Sequence, residues 1–350
     1  MSNTKSVRSS NLELFRIVLM LAIVAHHYTV NSGLFTELNN APFADKSLFY
    51  YLFGMWGKTG INCFVLITGY FMCKKDITLV KFLRLLLEVE FYNILFYLVF
   101  VFTGYSDFSA KHFFFAIFPI GSVRRGFVSC FLLFYLCIPF LNILIKNITL
   151  RQHRYLILLC LFIYTFLGMI PLIKVEMNYV SWFCVIYFIA SYIRKHEEFN
   201  EKPMVIRGRY FLAVCVLSML SVVGCVFLKK ICLIDVHPYW FMSDSYAILA
   251  VVTSICAFLY FKGLKIPTNK IINTVASSIF GVLLIHANSD NMRQWLWKDT
   301  LNVVEQYYSN YSILLAVLTV LGVFVACTII DQLRIFVFEK PLFRWIGKRL

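Results

Sequence analysis

The stretch Glu13–Tyr28 reads ELFRIVLMLAIVAHHY. Its middle is apolar enough for lipid, yet Glu13 and Arg16 open it and His26 and His27 close it. Whether this run is a membrane helix decides the fold of the whole chain, and the surrounding composition says that it is. Of 350 residues, 60% are hydrophobic and 15% charged, against about 45–50% and about 25% in soluble domains. A surface that apolar has lipid rather than water as its solvent. The chain therefore reads as an all-α, polytopic integral membrane protein, with the lipid bilayer as its first partner. The formal net charge of +15 would point to nucleic acid in a soluble protein. Here no basic motif is interleaved with exposed aromatics, so no nucleic acid partner is expected. Basic residues instead suit cytoplasmic loops that face anionic lipid.

A span needs about 20 mostly apolar residues. Ten such runs lie at 12–30, 49–72, 79–103, 126–145, 155–172, 179–194, 209–228, 245–261, 271–288 and 312–335. The segment His112–Ile120 (HFFFAIFPI) is too short to cross and fits the membrane surface or a shallow dip into it. With the N-terminus in the cytoplasm, the inner segments hold more than twice as many Lys and Arg as the outer loops. That bias predicts both termini inside. One outer loop dissents, because Lys111, Arg124 and Arg125 gather there, either as solvated charge or as an anion site. The gaps between spans are too short for another soluble domain. Residues 1–350 therefore read as a single membrane-embedded domain, without internal repeats or low-complexity tracts.

Eleven cysteines fall mostly inside apolar runs, with neither metal-ligand spacing nor a disulfide framework, and read as small packing residues. No H-E-x-x-H or paired Cys/His pattern is present, so no metal is expected. The first apolar run is interrupted by Arg16 and ends in histidines without a small-residue cleavage site. It is expected to stay as an anchor rather than to be removed as a signal peptide.

Ionisable groups within a span are costly and so become functional candidates. On a helix, Arg16 and His27 share one face about 16 Å apart along the axis. Glu13, three residues before Arg16, joins that stripe, whereas His26 points a quarter turn away. Glu13, Arg16 and His27 thus form a polar seam that should face the protein interior. His286, in SSIFGVLLIHANSD, is placed comparably: it and His27 each lie about 15 residues beyond the cytoplasmic start of their spans, about 22 Å into a core of about 30 Å. Two histidines at one depth point to a shared polar cavity; the alternative is two separate interfacial histidines capping their helices. An imidazole suits acid–base work, since its unperturbed pKa is near 6.5, and it can take the proton of a hydroxyl during acyl transfer. The nucleophile elbow G-x-S-x-G of serine hydrolases is absent.

Several further side chains are candidates with a bland alternative beside each. Lys58, at the outer end of the second span, could hold an oxyanion or acceptor phosphate, or simply snorkel to the surface. Glu88, one turn after Arg84, is either a ligand or half of an inner salt bridge. Arg124 and Arg125 could grip an anion. Asn142, Asn288 and Asp331 could serve only to satisfy helix ends.

These residues resemble the acyltransferase family 3 membrane proteins, bacterial O-acyltransferases that decorate cell-surface glycans. The family's first-helix pattern, an arginine and then a histidine after ten residues, is matched by Arg16 and His27, and the NLELFR that leads up to Arg16 matches as well. Further matches are GKTGINCFVLITGYF (Gly57–Phe71, with Lys58 and Asn62), SCFLLFYLCIPFLN (Ser129–Asn142) and SWFCVIYFIASYIRK (Ser181–Lys195). ASSIFGVLLIHANSDNMRQWLW (Ala276–Trp297) and IDQLRIFVFEK (Ile330–Lys340) complete the set, in the expected order along nearly the whole chain. Departures are Thr68 in place of serine, Gly126 and Phe131 where Trp and Tyr are usual, and Ala287 where an acidic residue usually follows the histidine. None touches Arg16 or His27.

The resemblance implies an O-acetyltransferase or other O-acyltransferase of the bacterial cytoplasmic membrane. The donor would be cytoplasmic acetyl-CoA or another short acyl-CoA. The acceptor would be a hydroxyl of a lipid-linked or growing cell-envelope polysaccharide, with His27 as general base and Arg16 near CoA phosphate or ordering Glu13. The same resemblance implies a lipid pyrophosphate as the anion at Arg124 and Arg125, and a sugar ring on which Trp182 could stack, unless that side chain belongs to the core or interface. Two other classes compete: a transporter or flippase of a glycolipid or small acid, and a structural partner in a glycan-synthesis complex. A transporter should show broken helices and repeated halves, and the sequence carries neither clearly.

Overall fold

The structure is a computed structural model, and it describes residues 9–44, 46–75, 77–119, 126–196, 202–231 and 236–346. Among these, every regular element is a helix. In chain order they are α1 (Ser10–Val30), α2 (Leu34–Asn40), α3 (Ser47–Gly54), α4 (Gly57–Met72), α5 (Leu79–Phe102) and α6 (Ala110–Ile117). Next come α7 (Phe127–Asn147), α8 (Leu150–Leu161), α9 (Tyr179–Lys195), α10 (Met204–Ile231) and α11 (Ile248–Gly263). The last are α12 (Lys270–Ser277), α13 (Ile279–His286), α14 (Asp290–Arg293), α15 (Val303–Tyr308), α16 (Ser312–Arg334) and α17 (Lys340–Ile346). Several starts are written in the sequence as caps: Thr78, Asn178, Asn269 and Ser289 each accept a backbone N–H of the first turn, and Thr149 with Gln152 forms a capping box.

Helices occupy all ten apolar intervals read from the sequence, but they are not equally long. Six of them are long and apolar enough to cross a membrane, or up to seven if one bent pair counts as a span. α4, with 16 residues, and α9, with 17, reach only about 24–26 Å at about 1.5 Å per residue. The second apolar run is divided between α3 and α4 by Met55 and Trp56. Residues 112–117 of the HFFFAIFPI segment lie in the short helix α6.

One pair of helices is sharply bent, at the end of the ninth apolar interval. Lys270–His286 and Asp290–Tyr308 meet at 93°. A smaller break at Ser278 separates α12 from α13, and there the Gln332 amide of α16 donates to Thr274 O at 2.9 Å, Ser277 Oγ at 3.0 Å and Ser278 Oγ at 2.7 Å. An apolar environment tolerates such a break when a neighbouring side chain supplies the missing hydrogen bonds.

The described residues fall into two compact units, one joining the segment up to Ala41 with that from Lys265 onward, the other running Pro42–Leu264. In the first, α1 packs on α12, α13 and α16, and α13 packs on α16. Ser10 Oγ bonds Asn273 Oδ1 at 3.0 Å and accepts the Asn269 N–H at 2.9 Å, tying the starts of α1 and α12 together. Toward the other end of α1, the Tyr28 hydroxyl and Thr319 Oγ1 of α16 both bond Gln306 Oε1 at 3.2 Å. The turn between α1 and α2 is made at Gly33, whose φ of +88° lies in the left-handed region that glycine adopts without strain.

In the second unit α4 is central, packed against α9 and α11, and α9 in turn packs on α7 and α8. The α4–α9 approach is close enough at Gly69 that a Cβ there would fall 2.8 Å from the Ala190 Cβ. Small residues at such a crossing let two membrane helices pack backbone to backbone. In the loop before α11, the buried Tyr239 hydroxyl donates to Tyr51 O at 2.8 Å, and burial pushes the phenol up, so it remains a donor.

Candidate functional site

The sequence-derived site residues divide between the two units. Glu13, Arg16, His27 and His286 lie in the first; Lys58, Asn62, Glu88 and Trp182 lie in the second; Arg124 and Arg125 fall outside the described residues.

In the first unit, Glu13 and Arg16 form an ion pair one turn apart, with Arg16 Nη1 3.4 Å from each Glu13 carboxylate oxygen. Glu13 is buried and Arg16 is half-exposed. Both stand on the first turns of α1, and His27 stands near its far end. There α1 meets the end of α13, and the imidazoles of His27 and His286 lie with ring centroids 5.1 Å apart, tilted by 52°. His26 is 5.8 Å from His27 on the same helix.

Two aromatic rings close the cluster. Trp297 stands edge-on to His286 at 6.3 Å and to Tyr28 at 6.1 Å. Tyr28, His286 and Trp297 are fully buried, while His26 and His27 are half-buried. His286 is the last residue before the 93° bend, and Trp297 belongs to a π-helical turn, Gln294–Thr300, just beyond it. Such turns often re-aim side chains at functional sites.

The tautomer of His286 follows from its partner. Nδ1 lies 2.6 Å from the Val282 carbonyl oxygen, one turn back on α13. A carbonyl only accepts, so Nδ1 carries the proton and the neutral ring leaves Nε2 bare. That Nε2 is buried and without a hydrogen-bond partner among the described residues, and so is the indole Nε1–H of Trp297.

Beneath the cluster, α16 contributes buried charge. Arg334 donates to Asp331 Oδ1 at 2.8 Å and to Glu339 Oε2 at 2.9 Å, with Asp331 fully buried. Glycine at 281 makes room for this: a Cβ there would collide with the Asp331 carboxylate. The carboxylate thus lies against the first turn of α13, the end of a helix that favours negative charge.

In the second unit the candidates have protein partners. Lys58 Nζ donates to the Tyr179 hydroxyl at 2.9 Å. Asn62 donates to Ser245 O at 2.7 Å and accepts the Trp182 indole N–H at 2.8 Å. Trp182 is fully buried, edge-on to Tyr164 and Tyr246. Its ring is enclosed by protein and holds α9 to α4. Glu88 is half-buried on α5, one turn after the exposed Arg84. Asn142 also proves to be a helix tie, accepting the Tyr187 hydroxyl at 2.7 Å and donating to Met72 O at 3.1 Å.

Sequence reasoning did not single out Trp297, Tyr28 or Arg334. The signal for Trp297 was its place in the motif that carries His286, but its approach depends on a bend that composition does not reveal. No group of three or more His, Cys, Asp or Glu suited to a metal occurs among the described residues.

The cluster joins a first-helix histidine to a histidine near the other end of the chain, and a single family model bridges that distance. The model, described as an acyltransferase domain, matches residues 9–332. No curated protein and no solved structure matches the chain. A match that long takes in α1, the bend and most of α16, and with the apolar helices between them it shows that the chain is a multi-pass membrane protein belonging to acyltransferase family 3.

Proposed function

We propose that the protein moves an acyl group, acetyl above all, from cytoplasmic acyl-CoA to a hydroxyl of a cell-envelope or exopolysaccharide glycan. In this reading all ten apolar helices cross or enter the bacterial cytoplasmic membrane, with both termini inside. The observation that carries it is the 5.1 Å approach of His27 and His286 in a chain of an acyltransferase family. His27 is the general base. Its imidazole takes the acceptor hydroxyl's proton as the oxygen attacks the thioester carbonyl. The carbon–sulfur bond breaks, and the imidazolium returns the proton to the leaving thiolate. Glu13 and Arg16, at the other end of α1, hold a guanidinium where it can meet CoA phosphate.

His27→Ala tests this. A general base is worth about 10²–10⁴-fold, so surface glycans from cells carrying the variant should lose their acyl signals by NMR while membrane levels of the protein stay normal. An acyl-histidine intermediate is not part of this reading, and a labelled acyl group accumulating on His27 would overturn direct transfer.

One observation favours a second reading. The 93° break after His286 makes a discontinuous helix, a feature that transporters use to build their sites. If His27→Ala left acylation unchanged but stopped glycan export, the protein would be a transporter or flippase.

A further inference from the structure

We propose that His286 Nε2 and Trp297 Nε1 together bind a second, non-reacting hydroxyl of the acceptor, beside the one that His27 deprotonates. The proposal rests on the acyl-transfer reading and deepens it: the acceptor is a polyol read at two neighbouring hydroxyls, not a simple alcohol.

Two adjoining buried rings each carry one unused hydrogen-bonding atom. Both side chains are fully buried, and neither atom has a hydrogen-bond partner among the described residues. A buried polar group left so costs about 1–3 kcal/mol, which a fold does not sustain twice in adjoining rings without return. The two are also complementary. The Val282 carbonyl fixes the His286 proton on Nδ1, so Nε2 only accepts. An indole N–H only donates. The group that satisfies both gives one hydrogen and accepts another, which describes a hydroxyl. A carboxylate has no hydrogen for Nε2, and an ammonium has no lone pair for the indole.

Position supplies the rest. The two rings meet edge-on at 6.3 Å, and His286 lies 5.1 Å from His27, so the orphaned pair adjoins the proposed base. His27 is the more open member of the group. The backbone that carries the pair is irregular on both sides, with the 93° bend after His286 and the π-helical turn that holds Trp297. Irregular backbone at membrane depth is tolerated where it is enclosed by protein or lines a cavity. Neighbouring hydroxyls on one sugar ring would then place one oxygen at His27 and the next between His286 and Trp297.

The test uses full-length protein in detergent micelles with 15N-labelled indoles, and Trp297→Phe assigns the Trp297 N–H signal. The probes are methyl hexopyranosides and the same glycosides lacking one hydroxyl at a time. The Trp297 signal should move with a parent glycoside, stay put with one monodeoxy analogue, and lose its response in His286→Asn. In parallel, transfer of labelled acetyl from acetyl-CoA should fall at least about 100-fold for that same analogue, because a site built to bond a hydroxyl rejects the compound that lacks it. Trp297→Phe should transfer to the two compounds alike. An indole signal unmoved by every glycoside, as when a structural water holds it, would overturn the proposal. So would a Trp297→Phe variant that still discriminates as the wild type does. A signal that moves in a wild-type protein that transfers no acetyl would leave the polyol site standing and remove the acyl-transfer reading instead.

Discussion

His286 in the first unit and Asn62 in the second are both fully buried polar side chains on apolar helices, and they end differently. Asn62 donates to Ser245 O and accepts from Trp182, so its amide is used on both sides. His286 donates from Nδ1 to Val282 O and keeps Nε2 bare. The same contrast separates the two tryptophans: the Trp182 N–H is bonded, and the Trp297 N–H is not. Burial alone therefore does not mark a functional polar group. Buried groups are normally paired, and the informative ones are those whose pairing the protein leaves unfinished.

The sharpest way to break the comparison is to unbalance charge that the first unit has matched. Arg334→Met removes the guanidinium that pairs with Asp331 and Glu339, and losing one partner of a buried pair costs about 3–5 kcal/mol. Thermal unfolding in detergent should show the largest drop of the set. A melt like the wild type's would mean that the pair does not hold α16.

Next comes the tight crossing of the second unit. Gly69→Ala pushes a methyl to 2.8 Å from the Ala190 Cβ and 3.3 Å from the Tyr187 Cα, where neither atom can swing away. Overpacking of this kind costs about 1–3 kcal/mol. Trp182→Phe should cost about the same or somewhat less, since it leaves the Asn62 carbonyl oxygen without its donor, a penalty of about 1–3 kcal/mol softened by the retained ring. Both variants should melt early. In Trp297→Phe, by contrast, the ligand-free protein should melt no lower than wild type by reason of its lost N–H, which has no partner to lose. Equal losses in Trp182→Phe and Trp297→Phe would erase the distinction between the two units.

The smallest effect sets the baseline. A Cβ at Gly322 on α16 meets nothing within 4 Å. Gly322→Ala should change stability by no more than about 1 kcal/mol, in the favourable direction, through helix propensity alone. A clear loss there would show that the exposed face of α16 is covered by something else.

Much of this protein was legible before any coordinates. The apolar intervals all carry helices, although two of them are divided, at Met55–Trp56 and at Ser278. The helical period put Glu13 and Arg16 within reach of each other, where they form their ion pair. The sequence also sets His27 and His286 at equal distances from the starts of their apolar runs, and their rings do meet.

The sequence by itself determined the class of solvent, the helical fold and the residue types able to do acid–base chemistry, because these follow from composition and from the fixed rise and turn of a helix. Only the tertiary structure decided which polar groups are spent. Lys58, Asn62 and Trp182 are candidates in one dimension, and only the packed helices show that Tyr179 and Ser245, distant in sequence, are among their partners. Trp297 looks like one aromatic among many until the 93° bend and a π-helical turn set it edge-on to His286. Hydrogen-bond satisfaction is a property of neighbours, and neighbours across distant segments are fixed by packing rather than by spacing along the chain.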